Sequence, residues 1–147
     1  MVLTMNDFVI IDTPNKLGVS ELKYMQSSTG HYCGYAVLSP SHIFTQLYDK
    51  YGWDFIRKYW WYQPHGGVTY DELDSDGNLV LGFDQAHIGD DESGINDNPK
   101  YVTNELTRFG AELMRQQGGR SSVIQNRIDE ILFEHMQLTI LEKEKIQ

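Results

Sequence analysis

The amino-acid sequence predicts an α+β fold, in which a small antiparallel sheet is packed by helices and a long helix ends the chain. The predicted elements follow the order strand, helix, hairpin, helix, helix, which is typical of antiparallel sheets with segregated helices. The chain has 147 residues, of which 40% are apolar and 12% aromatic, enough for one hydrophobic core. We therefore predict a single domain over residues 1–147.

The first half of the chain predicts two strands and a helical region. Residues 8–12 (FVIID) indicate a short strand or extended arm that ends before Pro14. Residues 31–38 (HYCGYAVL) alternate as a strand does, with Tyr32, Gly34 and Ala36 on one side and Cys33, Tyr35 and Val37 on the other.

A helix follows this strand. Its start is predicted at Ser39-Pro40-Ser41, with Ser39 or Ser41 as the N-cap. Gly52 interrupts the helix, and the aromatic-rich segment 53–62 continues it.

The second half predicts a central hairpin and two helices. Residues 68–70 and 79–83 form the hairpin strands, and Asp76-Gly77 is the turn signal between them. An irregular loop covers residues 84–99, and a helix covers residues 101–117. Its apolar residues recur at helical spacing: Val102, Leu106, Phe109 and Leu113.

The last predicted helix covers residues 121–145, after the break at Gly118-Gly119. A heptad-like series runs along it: Ile124, Ile128, Ile131, His135 and Leu138. About three heptads are marginal for a free coiled coil. We therefore expect this helix to pack on the domain or to form a homodimer.

The charge distribution limits the partners of the protein. The formal net charge is −9, and no Lys or Arg occurs between Lys58 and Lys100. That interval contains nine acids: Asp71, Glu72, Asp74, Asp76, Asp84, Asp90, Asp91, Glu92 and Asp97. Phosphate would repel this region, so we expect no direct nucleic-acid binding. A bound cation, a basic protein surface and a plain solvated acidic face remain as interpretations.

The sequence gives three indications of location. No run of about 18 apolar residues predicts a transmembrane helix, so we expect no membrane association. The N-terminus has no basic region of the kind that begins a secretory signal. Cys33 is the single cysteine, which fits a reducing compartment, and we predict a cytoplasmic protein.

Two glycine-marked motifs carry the candidate chemistry, HGGVTY from His65 and GFDQAHIGDD from Gly82. Because they stand at the two ends of the predicted hairpin, we expect them to lie close together. A divalent metal is one expectation, with candidate ligands His65, Asp84, His87 and Asp90. The same spacing also suits acid–base catalysis by His65, Asp84 and His87. In the structural alternative, an Asp–His hydrogen bond only holds the loop in place.

A binding surface is the other interpretation of these motifs. Its candidate residues are His65, Gly66, Gly67, Thr69, Asp84, His87, Asp90 and Asp91, with Trp60 and Trp61 as stacking residues. The alternative for the two tryptophans is a place in the core or an interface. The chain has no P-loop, no dinucleotide fingerprint and no nucleophile elbow, so the enzyme question stays open and binding is favoured.

The order of four strings resembles a family of small uncharacterised proteins encoded by bacteriophages and prophages. The strings are GHYCGYAVLSPSH, HGGVTY, GFDQAHIGD and YVTNELTRFGAEL, and the resemblance covers about residues 31–117. In the two middle motifs the matching residues are His65, Gly66, Gly67, Thr69, Gly82, Phe83, Asp84, His87, Gly89 and Asp90. His42 matches too, but Ile43 replaces the proline that often follows, so no role is assigned to His42.

The resemblance implies a phage accessory protein with a role outside the virion. Small phage proteins of this kind often counter host defence. We therefore expect an inhibitor of an anti-phage defence system that binds a defence protein through the acidic, glycine-rich surface. A metal-dependent hydrolase and a sponge for a nucleotide signal are the alternatives.

Overall fold

The computed structural model describes residues 8–28, 30–60, 62, 64, 66–84, 99–118, 129–130, 133–134 and 136–137. The chain divides into two compact units, Met1–Gln117 and Gly118–Gln147. The first unit has the predicted α+β fold: a five-stranded antiparallel sheet packed by helices. No helix among the described residues is both long enough and apolar enough to cross a bilayer.

The sheet is antiparallel throughout and has the strand order β1-β2-β3-β5-β4. The strands are β1 (Val9–Asp12), β2 (Val19–Gln26), β3 (Tyr32–Leu38), β4 (Tyr70–Leu73) and β5 (Leu79–Asp84). The helices are α1 (Ile43–Tyr51), α2 (Trp53–Tyr59) and α3 (Pro99–Gly118).

The central strand β3 divides its side chains between two environments, as its alternation predicts. Ala36 and Leu38 are fully buried, and their partners on β5 are Leu81 and Leu79, which are buried as well. Cys33 and Tyr35 belong to the opposite side of the strand and are partly exposed. The sheet therefore has a helix-covered face and a second, more polar face.

Helix α3 packs on the first face with its apolar stripe. The four apolar residues of its predicted stripe, Val102, Leu106, Phe109 and Leu113, are each 0% exposed. Two glycines allow the close approach. A Cβ atom on Gly110 would lie 2.6 Å from Leu22 Cδ1, and one on Gly34 would lie 3.0 Å from Leu106 Cγ. Small residues at these points let helix and sheet pack at near-contact distance.

The N-terminus of α1 differs from the prediction. The N-cap is His42 and not Ser39 or Ser41, because His42 Nδ1 accepts a hydrogen bond from the Phe44 amide at 3.0 Å. The hydroxyls of Ser39 and Ser41 instead lie 2.8 Å from each other. An imidazole can replace a hydroxyl here because its unprotonated nitrogen is also a hydrogen-bond acceptor.

The central hairpin is confirmed, but its first strand begins later than predicted. Strand β4 covers Tyr70–Leu73 instead of residues 68–70, and the turn covers residues 74–78. The Asp74 carboxylate closes this turn by accepting hydrogen bonds from the amides of Asp76 and Asn78, both at 2.9 Å. Acidic residues extend β4 because it is an edge strand, where charged side chains reach solvent.

Strand β2 is absent from the prediction, although it pairs along the whole length of β3. A register shift between Val19 and Glu21 breaks the alternation of buried side chains along this strand. The N-terminal strand β1 is confirmed and pairs with β2.

The predicted last helix, residues 121–145, lies largely outside the described residues. Within it, residues 129–130, 133–134 and 136–137 are helical and exposed.

Candidate functional site

Many of the predicted site residues lie outside the described part of the chain: Trp61, His65, His87, Asp90 and Asp91. The described ones are Trp60, Gly66, Gly67, Thr69 and Asp84. Among the described residues, no group of three His, Cys, Asp or Glu side chains is placed to hold a metal ion.

Trp60 belongs to the hydrophobic core, which corrects its assignment as a ligand-stacking residue. Its side chain is 6% exposed. The ring packs on Phe44 at 4.8 Å between centroids, edge-on to Trp53 at 6.1 Å, and stacked with Phe109 at 6.2 Å. An aromatic cluster of this kind is the usual environment of a buried tryptophan.

The two glycines of HGGVTY form a turn. Gly66 and Gly67 have φ angles of 69° and 86°, in the left-handed region that favours glycine. The Gly67 amide donates to the Pro64 carbonyl at 2.8 Å, which closes the turn. The positive φ angles are sufficient to explain why glycine occupies both positions.

The hairpin brings the ends of the two motifs together, as the sequence predicts. The Thr69 amide donates to the Gly82 carbonyl at 2.8 Å, and Tyr70 pairs with Gly82 across the ladder. The Thr69 hydroxyl donates to Asp84 Oδ2 at 3.1 Å. Thr69 from the first motif and Asp84 from the second therefore belong to one site.

This site is a hollow of about 210 Å³ on the second face of the sheet, which we call the tyrosine hollow. Its lining residues come from β3, β5 and the start of β4: Cys33, Tyr35, Thr69, Tyr70, Gly82, Phe83 and Asp84. The sequence placed Cys33 and Tyr35 on one side of β3. It gave no indication of Tyr70 as their neighbour, because that position was predicted to be the end of its strand.

Gly82 shapes the floor of the tyrosine hollow. A Cβ atom at this position would lie 2.7 Å from the Tyr35 ring and 3.2 Å from Tyr70 Cβ. The absence of a side chain lets the two tyrosine rings approach each other, with centroids 5.7 Å apart and planes at 88°. Two perpendicular phenol rings thus stand over one glycine, an edge-to-face arrangement that aromatic pairs favour.

Two groups in the tyrosine hollow, the Cys33 thiol and the Tyr35 phenol, have raised pKa values. Burial raises the pKa of the Cys33 thiol, and the charge of Asp84 raises it further. Burial also raises the pKa of Tyr35, and the Cys33 thiol adds to this effect. A thiol with a raised pKa is a poor nucleophile at neutral pH, because the thiolate is the reactive form. Cys33 is therefore a weak candidate for a nucleophile.

A second feature, the acidic hairpin (residues 70–84), overlaps this hollow, because the two ends of the hairpin line it. Its strands and turn carry Asp71, Glu72, Asp74, Asp76 and Asp84 and no Lys or Arg. Burial alone would raise the pKa of Asp74, but hydrogen bonds from Asn78 and from the Asp76 amide outweigh it and lower the pKa. Asp74 therefore stays ionised at neutral pH.

The acidic hairpin is tied to the helical layer at its edge. The Tyr48 hydroxyl on α1 donates to the Asp71 carboxylate at 2.9 Å and lies 3.1 Å from the Asp71 carbonyl oxygen. Tyr70 donates to Glu72 Oε2 at 2.7 Å on the same strand. These contacts fix the position of the carboxylates, which reduces the entropy that a partner must overcome on binding.

Comparisons with known proteins give no match from which the role of this site could be inferred. No protein-family model matches the chain, and neither the curated proteins nor the solved structures show a significant similarity to it. The resemblance to phage proteins stays an expectation from the sequence.

Proposed function

We propose that the protein is a phage accessory protein that inhibits a host defence system by binding a defence protein in the host cytoplasm. The acidic hairpin is the binding element in this proposal. The observation that carries it is a set of exposed carboxylates, from Glu72, Asp74 and Asp76, on a closed turn at the edge of the sheet. The phage context comes from the sequence resemblance.

A fixed row of carboxylates suits a basic protein surface. Charge complementarity increases the rate of encounter and discriminates against wrong partners. The basic groove in which a nuclease holds nucleic acid is one surface of this kind. Two of these carboxylates need no large rearrangement to bind, because Asp74 and Glu72 already have hydrogen-bond partners within the domain.

The test removes the three exposed charges of the acidic hairpin and keeps the backbone hydrogen bonds of its turn. The triple variant Glu72→Gln, Asp74→Asn, Asp76→Asn removes three charges, and the side-chain amide oxygen at position 74 can still accept from the two turn amides. The matched control is Asp12→Asn, Asp49→Asn, Glu134→Gln, which removes the same charge from exposed positions elsewhere. Phage plating on defence-positive hosts measures inhibition, and titration with the purified defence protein measures affinity.

We expect the hairpin variant to lose inhibition and to weaken binding by about 10-fold or more, since surface charge pairs contribute up to about 1 kcal/mol each. The control should keep both within about twofold, and binding by the native protein should weaken as salt is raised. Unchanged inhibition by the hairpin variant would reject the proposal.

A further inference from the structure

Two further hollows adjoin each other where the connection between β1 and β2 meets the segment before α1. The first, which we call the serine pocket, has a volume of about 230 Å³. Its lining includes Asn15, Lys16, Gly18, Ser20, Ser39 and Ser41. The second, which we call the carboxylate pocket, has a volume of about 410 Å³ and shares Asn15 and Ser20 with the first. Its other polar lining residues are Thr13, Glu21, Lys23, Asp74 and Asn78.

We propose that the two pockets together bind a phosphorylated sugar. The phosphate group occupies the serine pocket, and the sugar hydroxyls occupy the carboxylate pocket. The first pocket offers hydrogen-bond donors and the second offers acceptors, which is the complement of such a ligand. The site goes beyond the inhibition assigned to the acidic hairpin and does not rest on it.

The backbone beside the serine pocket is fixed and strained. Lys16 and Val19 exchange two backbone hydrogen bonds, of 3.1 and 3.0 Å, around the two-residue turn Leu17-Gly18. Leu17 has a φ of 51° and is 41% exposed, so a conformation that leucine disfavours gains little from burial. Backbone strain of this kind is concentrated at functional sites. The Gly18 carbonyl accepts from the Ser39 amide at 2.8 Å, which joins the two walls of the pocket.

Donors line the serine pocket. The side chains of Lys16 and Asn15 have no hydrogen-bond or ionic partner in the described part of the chain. The hydroxyls of Ser39 and Ser41 lie 2.8 Å apart, and this bond uses one of their two hydrogens, so the other can donate to a ligand. Lys16 is also the one charged residue among the described lining residues. A phosphate group matches this set, because it has three acceptor oxygens and a charge of about −1.5 to −2 at neutral pH.

The carboxylate pocket supplies acceptors whose charge is already compensated. Asp74 Oδ1 accepts from two turn amides, and Oδ2 accepts from the Asn78 side chain at 3.0 Å. Lys23 binds Glu21 at 3.1 Å. An ionised carboxylate has about four acceptor positions, so both carboxylates can accept further hydrogen bonds. Carboxylates bind sugar hydroxyls in this way in nucleotide sites.

The experiment titrates the isotope-labelled, full-length protein with ribose 5-phosphate and follows backbone amides by NMR at constant ionic strength. Inorganic phosphate and ribose are the matched probes for the two halves of the ligand. We expect saturable shifts at Gly18, Ser39 and Asn78 with ribose 5-phosphate. It should bind about tenfold or more tightly than either half, because the linked second contact forms without a second loss of translational freedom.

Matched variants separate the two pockets from the charge of the whole protein. Lys16→Gln should weaken ribose 5-phosphate and inorganic phosphate alike, by about fivefold, since it removes the ammonium group. Asn78→Ala should weaken ribose 5-phosphate and leave inorganic phosphate unchanged. Lys50→Gln removes the same charge from an exposed position on α1, outside both linings, and should leave both affinities unchanged.

Adenosine monophosphate distinguishes the two sources of a phosphorylated sugar. Tighter binding than that of ribose 5-phosphate would assign the site to nucleotides, and weaker binding would assign it to free sugar phosphates. The absence of saturable shifts, equal binding of ribose 5-phosphate and inorganic phosphate, or equal weakening by the two lysine variants would overturn the site. Lys16 and Asn78 are unchanged in the hairpin variant that tests inhibition, so failure of one proposal is distinguishable from failure of the other.

Discussion

Single side chains determine how the helices pack together, and His42 connects helices α1 and α3. It is fully buried, accepts from the Phe44 amide at the start of α1, and lies with Nε2 2.8 Å from the Leu113 carbonyl of α3. These two contacts define the neutral tautomer that carries its proton on Nε2. Burial lowers the pKa of His42 from 6.5 to about 4, against the opposing effect of the Leu113 carbonyl.

This pKa makes stability depend on pH in a defined window. The unfolded chain binds a proton at His42 below pH 6.5, whereas the folded chain binds one only below about pH 4. The free energy of unfolding therefore falls as pH drops through this window, by roughly 3 kcal/mol from this group alone. Urea denaturation at successive pH values measures the slope.

His42→Asn isolates the contribution of this group. Asparagine is a good N-cap and does not titrate, so the variant should be less stable at neutral pH but lose less stability between pH 6.5 and about 4. Parallel slopes for the native protein and the variant would contradict the assignment.

At the scale of elements, the pairing of β3 with β5 depends on a volume match across the strands. Gly34 pairs with Phe83, and a Cβ atom on Gly34 would lie 2.6 Å from Cζ of the Phe83 ring. Phe83 is 1% exposed, so its ring has little room to move away. Glycine weakens a strand, but here it leaves the space that the buried Phe83 ring occupies.

A double-mutant cycle tests this match. Gly34→Ala should destabilise the protein by about 1–3 kcal/mol, because overpacking outweighs the gain in backbone entropy. Phe83→Leu should also destabilise it, through a cavity. The double variant should be more stable than the sum of the two effects predicts, by about 1 kcal/mol, because leucine lacks the ring atoms that alanine would contact. Additive free energies of unfolding would rule out the contact.

Elements with regular patterns were predictable, and those shaped by one side chain or by register were not. Helix α3 follows from periodicity because it buries one regular stripe, and strand β3 follows from its alternation, although Val37 on its second side is buried as well. Strand β2 was not predicted because its register shift breaks the alternation. The hairpin turn was predicted correctly at Asp76-Gly77, and only the strand before it begins later than predicted. The contact of Thr69 with Asp84 follows from the hairpin. The Tyr35–Tyr70 pair depends on strand order, which the pattern does not contain.

At the scale of the whole molecule, the core belongs to one part of the chain. The buried apolar side chains of the described residues run from Val19 to Leu113. Beyond Gly118, the described residues are exposed, including Phe133 at 61% and Met136 at 58%. The boundary between the two compact units, at Gln117, falls directly after this core.

We therefore expect a fragment of residues 1–120 to fold on its own. The fragment keeps Gln117, whose side-chain oxygen accepts from the Ile43 amide at 2.9 Å, and it places the new carboxylate beyond the end of α3. A cut directly after Gln117 would put that charge at the negative end of the helix dipole and is the destabilised control. Circular dichroism should show cooperative melting of the 1–120 fragment within about 4 °C of the full chain, a difference of about 1 kcal/mol for a domain of this size.

The same fragment tests the predicted homodimer. The heptad-like residues Ile124, Ile128, Ile131, His135 and Leu138 lie outside the described residues, and the fragment lacks all of them. If the last helix pairs two chains, the full-length protein should show a mass that rises with concentration in analytical ultracentrifugation, while the fragment stays a monomer. A dimeric fragment would place the interface in the first unit. An unfolded fragment would show that the first unit needs the residues beyond 120 to fold.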